Sequence, residues 1–416
     1  MVKDWKRLVL AIGAAAIAAL AVGAGACGGG TSSNIDGGGT DPNLKQRPTP
    51  AMPLFDENTL HQVSLEMSPE DWDSILNDTR GDEWRHAKLT YDGVVVQEVG
   101  VRPSGESSRF PGNQKMSMRI KFDAFDGQGS FAGYDMINIK GEYDDSSMMR
   151  ERLALFVFAA LMPAPQSAHA QVTVNGGSRG VFTLREVWDK TSIKAHFSEP
   201  LGPLYRVRPP LGVDPYAYVD DNPATYVPMP WEPHINKAER GDEVVPPFVK
   251  GIQDPFALET YVNVDDLIDY CVASTITMTT DGLVGSSGAS DHFEYFDPQT
   301  NVFNVLPWDP DNTFGSQGET PEKLIYSKMG RNKLTMAVRD RSELRVRYEA
   351  KIAEAMASIP IATLQAKADA MYAQIKDAAH ADTIKMFDNG TFDWAVGNIK
   401  DFAAARYANL HTQIGN

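Results

Sequence analysis

The sequence predicts an α+β fold of two lobes with a cleft between them, and three observations point to it. Residues 56 to about 190 fall into short runs of alternating apolar and polar residues, separated by Asp-Gly and Asn-Gly turns, as strands do. From Pro321 onward the apolar residues recur at helical spacing instead. The stretch from about Phe55 to the end has ordinary apolar and aromatic content, enough for one large domain or two lobes. A β-rich lobe over about 56–190 and a mainly helical lobe over about 191–414 are therefore expected.

Taken in order, His61 to Met67 alternates like a strand and runs into Ser68-Pro69-Glu70-Asp71, where a Ser cap and an early Pro begin a short helix through Leu76. Asp92-Gly93 stands between two β-rich runs and predicts a hairpin. In KMSMRIKFD, Met116, Met118, Ile120 and Phe122 share one face, while Lys115, Ser117, Arg119 and Lys121 share the other. Asp144 to Leu161 reads as a helix, and QVTVNGGSRGVFTLREV as a second hairpin turning at Asn175-Gly176-Gly177. Pro209 to Pro255, rich in Pro and acids, reads as loop. VNVDDLIDYCVASTITMTTDG reads as a helix ending near Asp281, followed by a hairpin turning near Asp297 to Thr300.

The beginning of the chain has a different character. Lys3, Lys6 and Arg7 precede an apolar stretch from Leu8 to Val22 and small residues up to Cys27, the layout of a cleavable export signal over residues 1–26. Cleavage before a cysteine predicts a lipoprotein anchored through Cys27, although Ala24 stands where such signals usually carry Leu. Residues 27–55, rich in Gly, Ser, Thr, Asp and Pro, read as a flexible tether from a membrane to the folded part, on the periplasmic side or the cell surface, with the outer membrane favoured. The formal charge is −16, and −18 without the first 26 residues, whose three cations face one acid. An acidic body argues against nucleic acid as partner. Cys271 is the only cysteine besides Cys27, so acylation of Cys27 would leave no intramolecular disulfide.

Two clusters could carry chemistry. Asp281 at a helix end, and Asp309 and Asp311 at a strand end, are brought together by the hairpin between them. Such acids suit a hard divalent cation with a nearby general base. A calcium loop or a solvated turn built on Asp309, Asp311 and Thr313 is the alternative; the EF-hand pattern fails, because its Gly falls at Phe314 and its Glu at Thr320. The second cluster is GVRPSGESSRF with the strand after it. A Gly- and Ser-rich turn exposes amides and hydroxyls to phosphates, and Lys115, Arg119 and Lys121 supply cations; a solvated sheet face explains the same pattern.

From about Asp56 to Ile414 the chain resembles the spore coat protein H (CotH) family of atypical kinases. The matching stretches are VGVRPSGESS (family pattern close to VGVRxKGNSS), KMSMRIKFD, SSMMRERLALFVF, VTVNGGSRGVFTLREV, LPWDPDNTFG and NIKDFAAARYANL. The resemblance implies a protein-kinase-like bilobed fold that transfers the γ-phosphoryl group of ATP, with Mg²⁺ or Mn²⁺, to Ser or Thr of secreted or surface proteins. It implies Asp281 as the catalytic aspartate that accepts the hydroxyl proton, and Asp309 as the metal-binding aspartate, with Asp311 beside it. Asp291 stands where relatives carry a metal-binding Asn. Ser107 and Ser108 fall in the phosphate-covering loop, Lys115, Arg119 and Lys121 near the phosphates, and Glu186 at a family acid. Where relatives have Lys-Gly-Asn-Ser-Ser, this chain has Ser104-Gly105-Glu106-Ser107-Ser108, which loses a cation and adds an acid. That change keeps a second reading open: a degenerate pseudokinase serving as a tethered binding or scaffold protein.

Overall fold

The computed structural model describes residues 53–415 apart from 79, 82, 106, 126–128, 199–200, 236–240 and 287. The predicted export segment, Cys27, most of the predicted tether, and Glu106 lie outside the described residues. Seven strands close into a barrel: β1 (Leu60–Glu66), β2 (Arg85–Tyr91), β3 (Val94–Pro103), β4 (Met118–Lys121), β5 (Met136–Lys140), β6 (Ser167–Val174) and β7 (Gly177–Glu186). Their order is β1-β2-β3-β4-β5-β7-β6, and a parallel pairing of β1 with β6, with Leu60 opposite His169, joins the ends. Closure removes the open strand edges of a sheet this wide. The hairpin turns follow residue chemistry, with Asp92 and Gly93 at φ +46° and +82° and Asn175 and Gly176 at +50° and +75°. Asn, Asp and Gly tolerate that left-handed region best.

Alternate strand residues, among them Val63, Leu89, Val101, Ile120, Ile139 and Phe182, form one apolar cluster. Each such side chain removed from water stabilises the barrel by roughly 1.5–3 kcal/mol. Met116, Met118, Ile120 and Phe122 all join this cluster, on the face their alternation predicts. Helix α1 (Pro69–Asn77) is capped by the Ser68 hydroxyl, which accepts from the Asp71 N–H at 3.0 Å. Helix α2 (Arg150–Ala159) begins later than the sequence suggests, because Asp145 serves as its cap from outside. The Asp145 carboxylate accepts from the backbone N–H groups of Ser147, Met149 and Arg150 at 2.9, 2.9 and 2.8 Å.

After α3 (Lys190–His196) comes a second sheet in the order β11-β10-β8-β9, from β8 (Leu204–Val207), β9 (Trp231–Ile235), β10 (His292–Asp297) and β11 (Val302–Pro307). Tyr205, Val207, Trp231, Phe303 and Val305 face the main helical core, and Leu204, Phe293, Tyr295 and Leu306 share a cluster with Ile193 of α3. The rest is helical: α4 (Val245–Gly251), α5 (Val264–Thr277), α6 (Lys333–Asp340), α7 (Ser342–Ser358), α8 (Ile361–Ala381) and α9 (Asn389–Ile414). The architecture is thus α+β.

The stretch from Pro209 to Pro255 is not all loop, since it contains β9 and α4. Pro233 is tolerated because β9 is an edge strand, and Pro246 and Pro247 fall in the first turn of α4, where a missing N–H costs little. Among the described residues, no helix is long and apolar enough to cross a membrane.

Candidate active site

The helical stripe of α5 ends at Met278, which takes φ +55° and turns the chain toward Asp281. The segment after it pairs with the loop after β11: the Thr280 N–H donates to the Asn312 carbonyl at 2.9 Å, and the Phe314 N–H to the Thr277 carbonyl at 2.8 Å. Asn312 then donates to Asp281 at 2.8 Å and to Asp311 at 3.1 Å, which ties the acids together. Gly282 follows at φ +117°, where a Cβ would stand 2.5 Å from the Tyr270 hydroxyl. His292 of β10 is opposite Pro307 of β11, so Asp291 and Asp309 leave the sheet at the same edge.

The centre of the arrangement is Lys140, the last residue of β5. Its ammonium lies 2.5 Å from Asp309, 2.9 Å from Asp311 and 3.0 Å from Glu151 of α2. Arg185, near the end of β7, reaches the same group: it pairs with Asp309 at 2.7 Å and with Glu151, and its guanidinium lies 3.8 Å over the Trp308 ring. Burial works against charge on Asp309, but Lys140 and Arg185 outweigh it and hold the carboxyl well below the usual carboxylate range. Asp311 is pushed up to about 7, chiefly by burial and then by Asp309 and Glu151, against the pull of Lys140. Asp281 is also raised by burial, with Asn312 opposing and Asp291 and Asp309 adding to it.

A cavity of about 480 Å³ opens between the barrel and the second sheet, lined by Asp281, Asp291, Asp309, Asp311 and Asn312 on one side. Ser104, Gly105 and Ser107 of the loop after β3 line the other. Arg80, Arg102, Arg109, Arg119, Arg206 and Arg208 add six guanidinium groups. Asp291 pairs with Arg206 of β8. Arg119 donates to Asn138 at 3.0 Å, and burial together with Arg102, Arg206 and Arg185 pulls its pKa down to about 9.

Four residues expected from the sequence do not line this cavity. Lys115 is buried elsewhere: its ammonium donates to the Val181 carbonyl at 2.6 Å and meets Asp382, beyond α8, at 3.0 Å. Lys121 pairs with Asp123 at 3.2 Å. Ser108 is buried, with its carbonyl accepting from Asn113 at 2.6 Å. Glu186 is buried and accepts from the Gln166 N–H at 3.0 Å. The neighbouring Arg185 reaches the acids instead, because successive strand residues point to opposite faces. Sequence reading also missed Lys140 and Glu151. An acid between Arg150 and Arg152 at the start of α2, and a Lys closing the strand MINIK, were the available signals.

Among the described residues no three acidic, His or Cys side chains are gathered closely enough to enclose a metal ion. Mg²⁺ does not require that, because it is held by one or two carboxylates together with substrate phosphates and water. Asp309 and Asp311 already share one cation, the Lys140 ammonium, so this pair of oxygen donors fits such an ion.

The model of the family described as CotH kinase protein matches residues 101–410 of the 416. The chain is also 26% identical, over 273 residues, to the inner spore coat protein H of Bacillus subtilis (strain 168), an alignment covering 64% of this chain and 74% of that protein. The matched span includes Lys140, Glu151, Arg185 and every cavity acid, and the chain belongs to the CotH kinase protein family.

Proposed function

We propose that this chain is an exported protein kinase that transfers the γ-phosphoryl group of ATP to Ser or Thr hydroxyls of secreted or surface proteins. One observation carries the reading: Lys140 joins a helix glutamate, Glu151, to a loop acid, Asp309, that follows a strand. Protein kinases use that trio, a strand lysine paired with a helix glutamate beside a metal-holding aspartate, to orient a nucleotide triphosphate. On this reading the barrel and the helical part are the two lobes of a kinase-like molecule. A divalent ion, when bound, neutralises charge on the phosphates; Asp309 and Asp311 would hold it, with Asn312 and Asp291 near.

Phosphoryl transfer asks a protein mainly to position groups and to offset charge. Lys140 and the cavity arginines, Arg119 first, face the phosphates, and Ser107 covers them. Asp281, steadied by Asn312, receives the proton of the acceptor hydroxyl as oxygen bonds to phosphorus. The scaffold reading rests on Glu106, an acid within the Ser104-Gly105-Glu106-Ser107-Ser108 sequence. The presence of Lys140 and Glu151 beside four cavity aspartates favours the enzyme. Cys27, on the same proposal, carries the lipid that holds the protein to its membrane. Incubating the full chain with γ-labelled ATP and Mg²⁺ or Mn²⁺ should yield labelled phosphoserine or phosphothreonine, on the chain itself or on an added secreted protein. Absence of label with either metal contradicts the proposal.

A further inference from the structure

The cavity that would hold the phosphates is unusual in what it lacks. Among the described residues lining it, Pro103 has the one apolar side chain. Sites that select a heterocyclic base enclose it between apolar or aromatic walls and read its edge with a few fixed polar groups. Here the described lining is charged and polar, six arginines with four aspartates, Glu232, His234 and Asn312 among them. The Arg102 guanidinium, itself 4.5 Å over the Trp84 ring, can stack on a ring of any base, since every base presents a π face.

The phosphate end is built in the opposite sense. Arg102 and Arg119 stand directly opposite each other on β3 and β4. Like charges in that position destabilise a sheet. Arg206, from the facing sheet, lowers the basicity of Arg119 further, and the same cavity receives Arg80, Arg109 and Arg208. Across the described lining six arginines outnumber five acids, and where Arg102 and Arg119 stand opposite each other a polyanion is favoured, which a triphosphate supplies.

Resting on the phosphotransfer reading, we infer that this cavity selects its donor by the phosphate tail and not by the base. It takes purine and pyrimidine nucleoside triphosphates alike and binds inorganic triphosphate. Discrimination of 10²-fold or more requires buried polar groups that the wrong base leaves unpaired. The described lining offers six arginines to the tail and, apart from Pro103, no apolar side chain to enclose the base.

The test is displacement of a fluorescent ATP analogue from the full chain, with Mg²⁺ present, by ATP, GTP, CTP and tripolyphosphate. Half-displacing concentrations of the three nucleotides should agree within about threefold, and tripolyphosphate should follow within about tenfold, a modest loss for a missing nucleoside that only stacks. Arg119→Gln should weaken all four in parallel, by about tenfold for one lost charge-assisted contact. GTP or CTP weaker than ATP by more than ~30-fold, or tripolyphosphate without effect, overturns the inference while leaving ATP-dependent phosphotransfer standing, and assigns base reading to Glu232 and His234 at the cavity wall. Failure of the ATP analogue to bind at all overturns both.

Discussion

Asp309 and Asp281 stand in one cavity but face different tasks, and their substitutions should separate. Asp309→Ala removes the acid shared by Lys140 and Arg185, so Mg²⁺-dependent nucleotide binding and transfer should both be lost. Asp281→Asn should leave nucleotide affinity nearly intact while slowing transfer by ~10²-fold or more, the usual scale of general-base help. Calorimetry with a non-hydrolysable ATP analogue reads the difference, and undiminished binding in Asp309→Ala excludes its metal role. Glu142 allows a pH test. Burial, then Asp145 and Glu151 against Lys140, push its carboxyl from an ordinary 4.5 up to about 8. A raised acid means that the folded state holds an extra proton between those values, so stability falls as pH rises from about 4.5 to 8, by on the order of a few kcal/mol. Glu142→Gln should flatten that decline, giving a larger gain in Tm at pH 8 than at pH 5; an equal shift at both contradicts the assignment.

At the scale of elements, α2 matters most, because it carries Glu151 and its start is fixed from outside by Asp145. Asp145→Ala removes three backbone contacts and the ion pair with Arg150. Loss of a helix cap costs about 1–2 kcal/mol, so Tm should fall by several degrees and nucleotide affinity should weaken as Glu151 moves. A lower Tm with unchanged affinity separates the cap from the site. The same helix shows what the sequence made legible. Its apolar run and its acidic approach announced a helix, but the approach proved to be the cap and not the first turn. Hairpins were legible because Asp92-Gly93 and Asn175-Gly176 have few alternatives. Asp281, Asp309 and Asp311 were legible because one hairpin brings them together. Lys140 was not, since its partner Asp309 is 169 residues away, and a single lysine ending a strand has no local pattern. Lys115 misled for the same reason: it precedes β4 and is buried, and Asp382, 267 residues on, claims its charge.

For the whole molecule, closure of the barrel through β1 and β6 was equally hidden, because parallel pairing of distant strands leaves no turn signal. The Lys115–Asp382 contact, buried on both sides, joins the barrel to the end of α8. The proposed anchoring belongs to this scale too. Cys27→Ser should move the protein from the membrane fraction to the soluble extract, because each acyl CH₂ contributes about 0.8 kcal/mol to insertion. Unchanged fractionation contradicts the lipid anchor. The central claim, that Lys140 links Glu151 and Asp309 into a phosphotransfer site, is tested most directly by the rate of label transfer from γ-labelled ATP in the wild type and in Lys140→Met. The account predicts measurable transfer by the wild type and a loss of ~10²-fold or more in a variant that keeps its secondary structure, since the phosphates lose a positioned cation. Equal rates in the two proteins, or no transfer by the wild type, would contradict it.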